Sequence, residues 1–202
     1  MILNIPIYEA IISDERCGID KISLVQSPAV ESNFVAFSEN KTPVMLSLND
    51  EQQMILGVVA RCDYPIYRND EQLGEYYVNF NRETIKFMAQ KLLRDNHQND
   101  VNIEHLFNSD VDGVEMVELF IKDTVKGINP TGFEDISDGS LFATFKVNNQ
   151  EIWQRIKSGE FKGYSLEGLF DFSIETNKTI DDDVELNEIL SLLDEIKKHT
   201  RK

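Results

Sequence analysis

The sequence predicts an α+β fold built mostly from short strands, with a few helices and a separate helical tail. Three observations carry this expectation. Short segments rich in β-branched and aromatic residues recur between turn-forming stretches. Two segments carry apolar residues at helical spacing behind an asparagine that can cap them. A third helical stripe follows an acidic run near the C-terminus.

In chain order, residues 5–12, 22–25, 34–37 and 54–60 read as strands. Residues 38–50 are polar and read as an internal linker, and residues 64–70 (YPIYRND) as a turn-rich stretch. Residues 76–80 read as a strand by their aromatic and β-branched content. A helix follows: Asn81 caps it, Glu83 lies in its first turn, and Ile85, Met88, Ala89 and Leu92 form one stripe. Residues 101–106 alternate as a strand does, residues 114–121 and 141–147 read as further strands, and residues 122–140 form a long loop rich in Gly, Asp, Pro and Ser. Residues 148–158 read as a helix capped by Asn148, with Glu151 three residues on and Gly159 as its stop. Residues 164–174 read as one continuous strand.

The C-terminal segment differs in character. Asp181, Asp182 and Asp183 precede a stripe of Leu186, Ile189, Leu190, Leu193 and Ile196, and four basic residues close the chain. Acid first and base last complement a helix dipole. The expected division is therefore a domain over residues 1–178 and a linker with an amphipathic helix over 179–202.

Composition narrows the function classes. With 41% hydrophobic and 28% charged residues, the chain is an ordinary globular one, not a collagen, a low-complexity chain or a disulfide scaffold. Its net charge of −16 argues against a general electrostatic grip on nucleic acid or on anionic membrane surfaces. The longest apolar run, residues 54–60, is far shorter than a membrane span. No basic region or cleavage site opens the chain, so no signal peptide is expected and the protein is expected to act in a cytoplasm. Cys17 and Cys62, outside any C-x-x-C pair, are expected as reduced thiols.

Three histidines, with neither H-x-H nor H-E-x-x-H, suggest no metal site, and no phosphate-binding glycine loop is present. No cofactor is expected. What remains is a serine nucleophile served by a histidine base. A neutral serine attacks poorly without a base in reach, and imidazole titrates near neutral pH. His105 and Ser165 are the candidates. Spacing alone leaves open that His105 is a hydrogen-bonded strand residue and Ser165 a small residue at a strand start.

Two stretches resemble a known family. Asn102-Ile103-Glu104-His105 with Val114-Glu115-Met116-Val117-Glu118-Leu119-Phe120-Ile121 resembles the histidine region of the prohead (capsid-maturation) serine proteases of tailed phages. Residues 153–168 (WQRIKSGEFKGYSLEG) resemble their nucleophile region, where a Trp-bearing helix leads through K-S-G-E-x-K-G-[FY]-S into the catalytic strand. Residues 64–68 with 77–80 also look like a segment upstream of the histidine in one branch of these proteases. The resemblance covers roughly residues 1–175.

The resemblance implies an assemblin-like fold, a mainly antiparallel β-barrel with flanking helices. It implies a serine endopeptidase with His105 as base and Ser165 as the acylated nucleophile. For the third member it points to Glu118, just after the histidine on the next strand. The rival is Asp20, from residues 18–29 (GIDKISLVQSPA), which resemble an S-L-V-x-x-P-A strand that elsewhere follows the nucleophile, as a circular permutation would place it. The matching acid position holds Lys21, with Asp20 beside it. Glu104 and Glu167 read as solvated neighbours. Oxyanion donors are sought in backbone N–H groups around Ser165 and in residues 122–140. Implied partners are the phage scaffold and major capsid proteins, with possible self-association, inside the prohead in the host cytoplasm. The other class of function is an inactive, structural head-assembly protein that keeps the same fold.

Overall fold

The computed structural model describes residues 5–28, 52–70 and 73–174. Ten strands and two α-helices follow in the order β1 (Ile7–Ile11), β2 (Gly18–Val25), β3 (Met54–Ala60), β4 (Ile66–Asp70), β5 (Gly74–Asn79), α1 (Arg82–Arg94), β6 (Val101–Ile103), β7 (Val114–Ile121), β8 (Leu141–Val147), α2 (Gln150–Lys157), β9 (Gly163–Leu169) and β10 (Asp171–Ile174). The strands form three sheets, ordered β10-β1-β5-β4, β6-β2-β9 and β3-β8-β7. The fold is thus α+β and mostly strand, as the sequence predicts. Pairing is mainly antiparallel, with β1–β5 and β2–β6 parallel. Among the described residues no sheet closes into a barrel.

Both helices form for local reasons. The Asn81 side chain accepts the Thr84 N–H at 2.8 Å, Glu83 sits in the first turn, and Lys91 and Arg94 sit in the last. Ile85, Met88 and Leu92 are fully buried on one face. The second helix starts one residue later than its cap signal suggests. Asn149, not Asn148, accepts the Ile152 N–H, at 3.1 Å. Asn148 is used elsewhere: its N–H donates to Gly113 O, which fixes the exit from β8.

Two further differences come from tertiary pairing. Residues 66–70 are a strand rather than a turn, held antiparallel to β5 from Ile66↔Val78 to Asp70↔Gly74. The segment 164–174 is two strands broken at Phe170. β9 pairs with β2, whereas β10 pairs with β1 in another sheet. The expected strand at 34–37, the linker at 38–50 and the C-terminal helix lie outside the described residues.

The core gathers where the sheets meet the helices. Phe142, Phe145, Ile55, Trp153 and Tyr164 are all buried. The Tyr164 hydroxyl donates to Ile55 O at 3.0 Å, tying β9 to β3, so the second and third sheets share a seam. Burial pushes the Tyr164 phenol well above its usual value. The seam fixes the face of β9 that looks away from the core.

Candidate active site

The site is built on one face of the β6-β2-β9 sheet. Directly opposed residues of neighbouring strands share a face. Ser23 on β2 is opposed by Asn102 on β6 and by Ser165 on β9, so three polar side chains form a row across the sheet. Two residues along β9, on the same face, Glu167 opposes Lys21. The period of two that places Ile22 and Leu24 in the core directs Ser23 and its row to the other face.

The imidazole reaches this face through a sharp turn. β6 ends at Ile103, and Glu104 and His105 take left-handed conformations, φ 53° and 57°. Consecutive non-glycine residues there are strained and persist only where surrounding bonds hold them. The Glu104 N–H donates to Leu24 O at 3.1 Å, its carboxylate accepts the Gln26 N–H at 2.6 Å, and the Leu106 N–H returns to Ile103 O at 3.0 Å.

His105 Nδ1 then lies 2.8 Å from Glu167 Oε1 and 2.9 Å from Ser23 Oγ. The same Glu167 oxygen accepts Asn102 Nδ2–H at 2.5 Å and lies 2.8 Å from Ser23 Oγ. Burial raises the Glu167 carboxyl. Hydrogen bonds from Asn102, Ser23 and His105, with the His105 charge, outweigh it and hold the group below its usual range. An ionised carboxylate only accepts. The network therefore assigns the Nδ1 proton to the bond with Glu167 and leaves Nε2 as the basic nitrogen.

The two serines differ in what surrounds them. Ser23 is fully buried, and its one hydroxyl proton goes to Glu167 or to Asn102 Oδ1, 2.5 Å away. Ser165 keeps 7% exposure, and among the described residues no hydrogen bond joins it to His105. The side chain of His105 is 38% exposed, so the imidazole faces solvent as well as the row.

The other candidates lie elsewhere. Glu118 is on β7 in the third sheet, exposed, with its carboxylate accepting the Thr144 hydroxyl at 2.6 Å. Asp20 sits at the register shift between Ile19 and Lys21, exposed and without a partner residue on β9. Lys21 beside it pairs with Asp110 at 2.5 Å. Glu104 braces the turn. Residues 122–140 wrap around a buried lysine: Lys122 Nζ donates to the carbonyls of Phe133, Glu134 and Ile136 at 2.6–3.0 Å. Sequence reasoning gives no catalytic part to three members of the cluster: Ser23, Asn102 and Glu167. The one local signal was the spacing of Ser165 and Glu167, two apart and so on one face of a strand. Among the described residues no three His, Cys, Asp or Glu side chains converge as metal ligands do.

A serine hydroxyl, an imidazole and a carboxylate gathered on one sheet face are the side-chain set of serine hydrolases. Comparison with known families agrees with that class. The family model described as "Putative phage serine protease XkdF" matches residues 41–174, and the chain belongs to this family. The matched span holds Asn102, His105, Ser165 and Glu167, whereas Ser23 precedes it. No curated protein and no solved structure matches the chain.

Proposed function

We propose that the protein is a phage prohead protease, a serine endopeptidase that cleaves scaffold and capsid proteins, and its own chain, during head maturation. The observation that carries this is the bond from His105 Nδ1 to Glu167, on the face that also bears Ser165. Ser165 is the nucleophile and His105 the base, acting through Nε2. Glu167 takes the third place in preference to Glu118 or Asp20, because it is the acid in contact with the imidazole. Ser23 and Asn102 hold that acid.

In the reaction, Nε2 takes the Ser165 hydroxyl proton as Oγ attacks the scissile carbonyl carbon. The imidazolium is stabilised by Glu167 and gives its proton to the leaving amine, which departs as the C–N bond breaks. Water, deprotonated by the same nitrogen, attacks the acyl carbon, and the proton passes from Nε2 to Ser165 Oγ as the ester C–O bond breaks, releasing the acid and Ser165. The assemblin-like barrel belongs to this reading. Its support is the mainly antiparallel pairing and the Tyr164–Ile55 seam, which brings β9 against β3.

The test is an intact-mass time course of the wild type beside Ser165→Ala and His105→Ala, alone and then with the phage's scaffold and capsid proteins. Fragments in the wild-type samples alone support the protease. Uncut protein in every sample supports an inactive assembly protein of the same fold. The specific observation favouring that second reading is that the imidazole lies 2.9 Å from Ser23 Oγ and makes no hydrogen bond to Ser165.

A further inference from the structure

The turn that carries His105 also exposes two large apolar side chains. Phe107 is 94% exposed and Leu106 60%, immediately after the imidazole. Their exposure is built in rather than left by a loose end. Glu104, His105 and Asn108 all have left-handed φ values, 53°, 57° and 59°. The loop is closed at its base by Ser109, whose hydroxyl lies 2.9 Å from Ile103 O and 2.5 Å from Leu106 O. The Glu104 bonds to Leu24 and Gln26 tie it to the end of β2. With its inner polar groups satisfied by these bonds, the loop displays its apolar pair outward.

Water around a fixed, nearly fully exposed phenyl ring is released when another apolar group covers it. The place of the ring says what covers it. It lies two residues from His105, so its Cα is at most about 7 Å from that of the base, within reach of a peptide bound at Ser165. We propose that Leu106 and Phe107 form one wall of a specificity subsite, which takes an apolar side chain of the peptide substrate close to the scissile bond. This rests on the protease reading above, and it adds the substrate class at one position.

The experiment uses the full chain, a proteome-derived peptide library read by mass spectrometry, and a fluorophosphonate probe for the nucleophile. Wild type, Phe107→Ser, Phe107→Leu and Leu106→Ser are compared. Wild-type cleavage sites are expected to share an apolar residue at one position flanking the cut. Phe107→Ser is expected to lose that preference and at least 10-fold in kcat/KM on the best peptides. Phe107→Leu retains most of both, and fluorophosphonate labelling of Ser165 proceeds at the wild-type rate in every variant. Unchanged cleavage sites and rates in Phe107→Ser and Leu106→Ser, with labelling intact, overturn the subsite and leave the protease standing. A wild type that is neither labelled nor cuts any peptide overturns the protease reading, and the subsite with it.

Discussion

Ser23 and Ser165 stand directly opposite each other across the β2–β9 ladder, and the imidazole of His105 lies against the buried one, Nδ1 2.9 Å from Ser23 Oγ. Directly opposed side chains have Cβ atoms about 4.5–5.5 Å apart. Ser165 thus stands one ladder position from the group nearest the imidazole, and catalytic hydrogen bonds commonly tighten only when substrate binds. The assignment of roles follows from access: a peptide carbonyl reaches Ser165 and not a hydroxyl with no exposed surface. Ser165→Ala is expected to abolish covalent fluorophosphonate labelling and proteolysis. Ser23→Ala removes one support of Glu167, worth about 0.5–1.5 kcal/mol as a net hydrogen bond, and is expected to keep labelling while lowering kcat/KM by about 10-fold. Peptide mapping of the labelled protein checks both, and a label on Ser23 would reverse the assignment.

Glu167 fixes the imidazole, so its replacement by an isosteric amide should act on catalysis without emptying the site. In Glu167→Gln the amide group presents either an oxygen or an N–H to Nδ1, and the tautomer is no longer imposed. A fall of roughly 10²–10⁴-fold in kcat is expected, the size of a lost base or its orienting acid. Stability gives an independent reading. The Glu167 carboxyl is held below its ordinary value of 4.5 in the folded chain. Its contribution is therefore complete above the unfolded value and lost as pH falls through the lowered folded value. Thermal unfolding of wild type and Glu167→Gln should show a gap near neutral pH that closes on acidification. A gap that holds constant or grows at low pH contradicts the proposed hydrogen-bonding of the ionised carboxylate.

The sequence makes some of this legible and hides the rest for definable reasons. The α1 stripe and its Asn81 cap are local, as is the strand character of residues 141–147, and both read directly. The strand at 66–70 is not local: its Tyr-Pro start looks like a turn, and only pairing with β5 makes it extended. The break at Phe170 is equally invisible, because a period of two does not record a change of sheet. At the site, His105 and Ser165 are marked by their motifs. Their companions depend on long-range register: Asn102 meets Ser23 through a parallel pairing of segments about 80 residues apart in sequence. Glu167 rather than Glu118 meets the imidazole because the chain turns at Glu104 and His105 through left-handed conformations that neither residue type signals.

Cys62 offers a probe of opening that is separate from the catalytic groups. It is fully buried, beside Gly139, and forms no disulfide. Burial, with the neighbouring Asp63 carboxylate, pushes its thiol up to about 12. Thiolate is the reactive form, so iodoacetamide at mildly alkaline pH should leave Cys62 unmodified in the folded protein. Modification in denaturant should be rapid, and the rise with denaturant should follow the unfolding transition seen by circular dichroism. Complete alkylation of Cys62 under native conditions would show that this part of the core opens far more readily than its burial indicates.

Gly168 tests whether the close approach of β2 and β9 holds the site in register. A Cβ at this position would lie 1.8 Å from Gly18 O and 2.8 Å from Gly18 C, both backbone atoms. Neither yields as a flexible side chain would, because Gly18 pairs with Leu169 and Ile19 with Gly168 in the same ladder. Gly168→Ala must therefore push the two strands apart beside Glu167. The cost is set at about 3 kcal/mol, the upper part of the range for overpacking, which lowers Tm by about 6–12 °C in a chain of this size. Gly159→Ala is the matched control. Gly159 follows α2 with φ 77°, but nothing lies within 4 Å of its added Cβ, so only backbone strain of about 1 kcal/mol is incurred. Differential scanning calorimetry ranks the two variants. The activity of Gly168→Ala, measured well below its own Tm, separates stability from alignment. A variant that is destabilised yet cleaves at the wild-type rate detaches the strand spacing from the site. One that loses both ties the spacing to the placing of Glu167 against His105, since the atoms nearest an added Cβ belong to Gly18 and Ile19 and not to that pair.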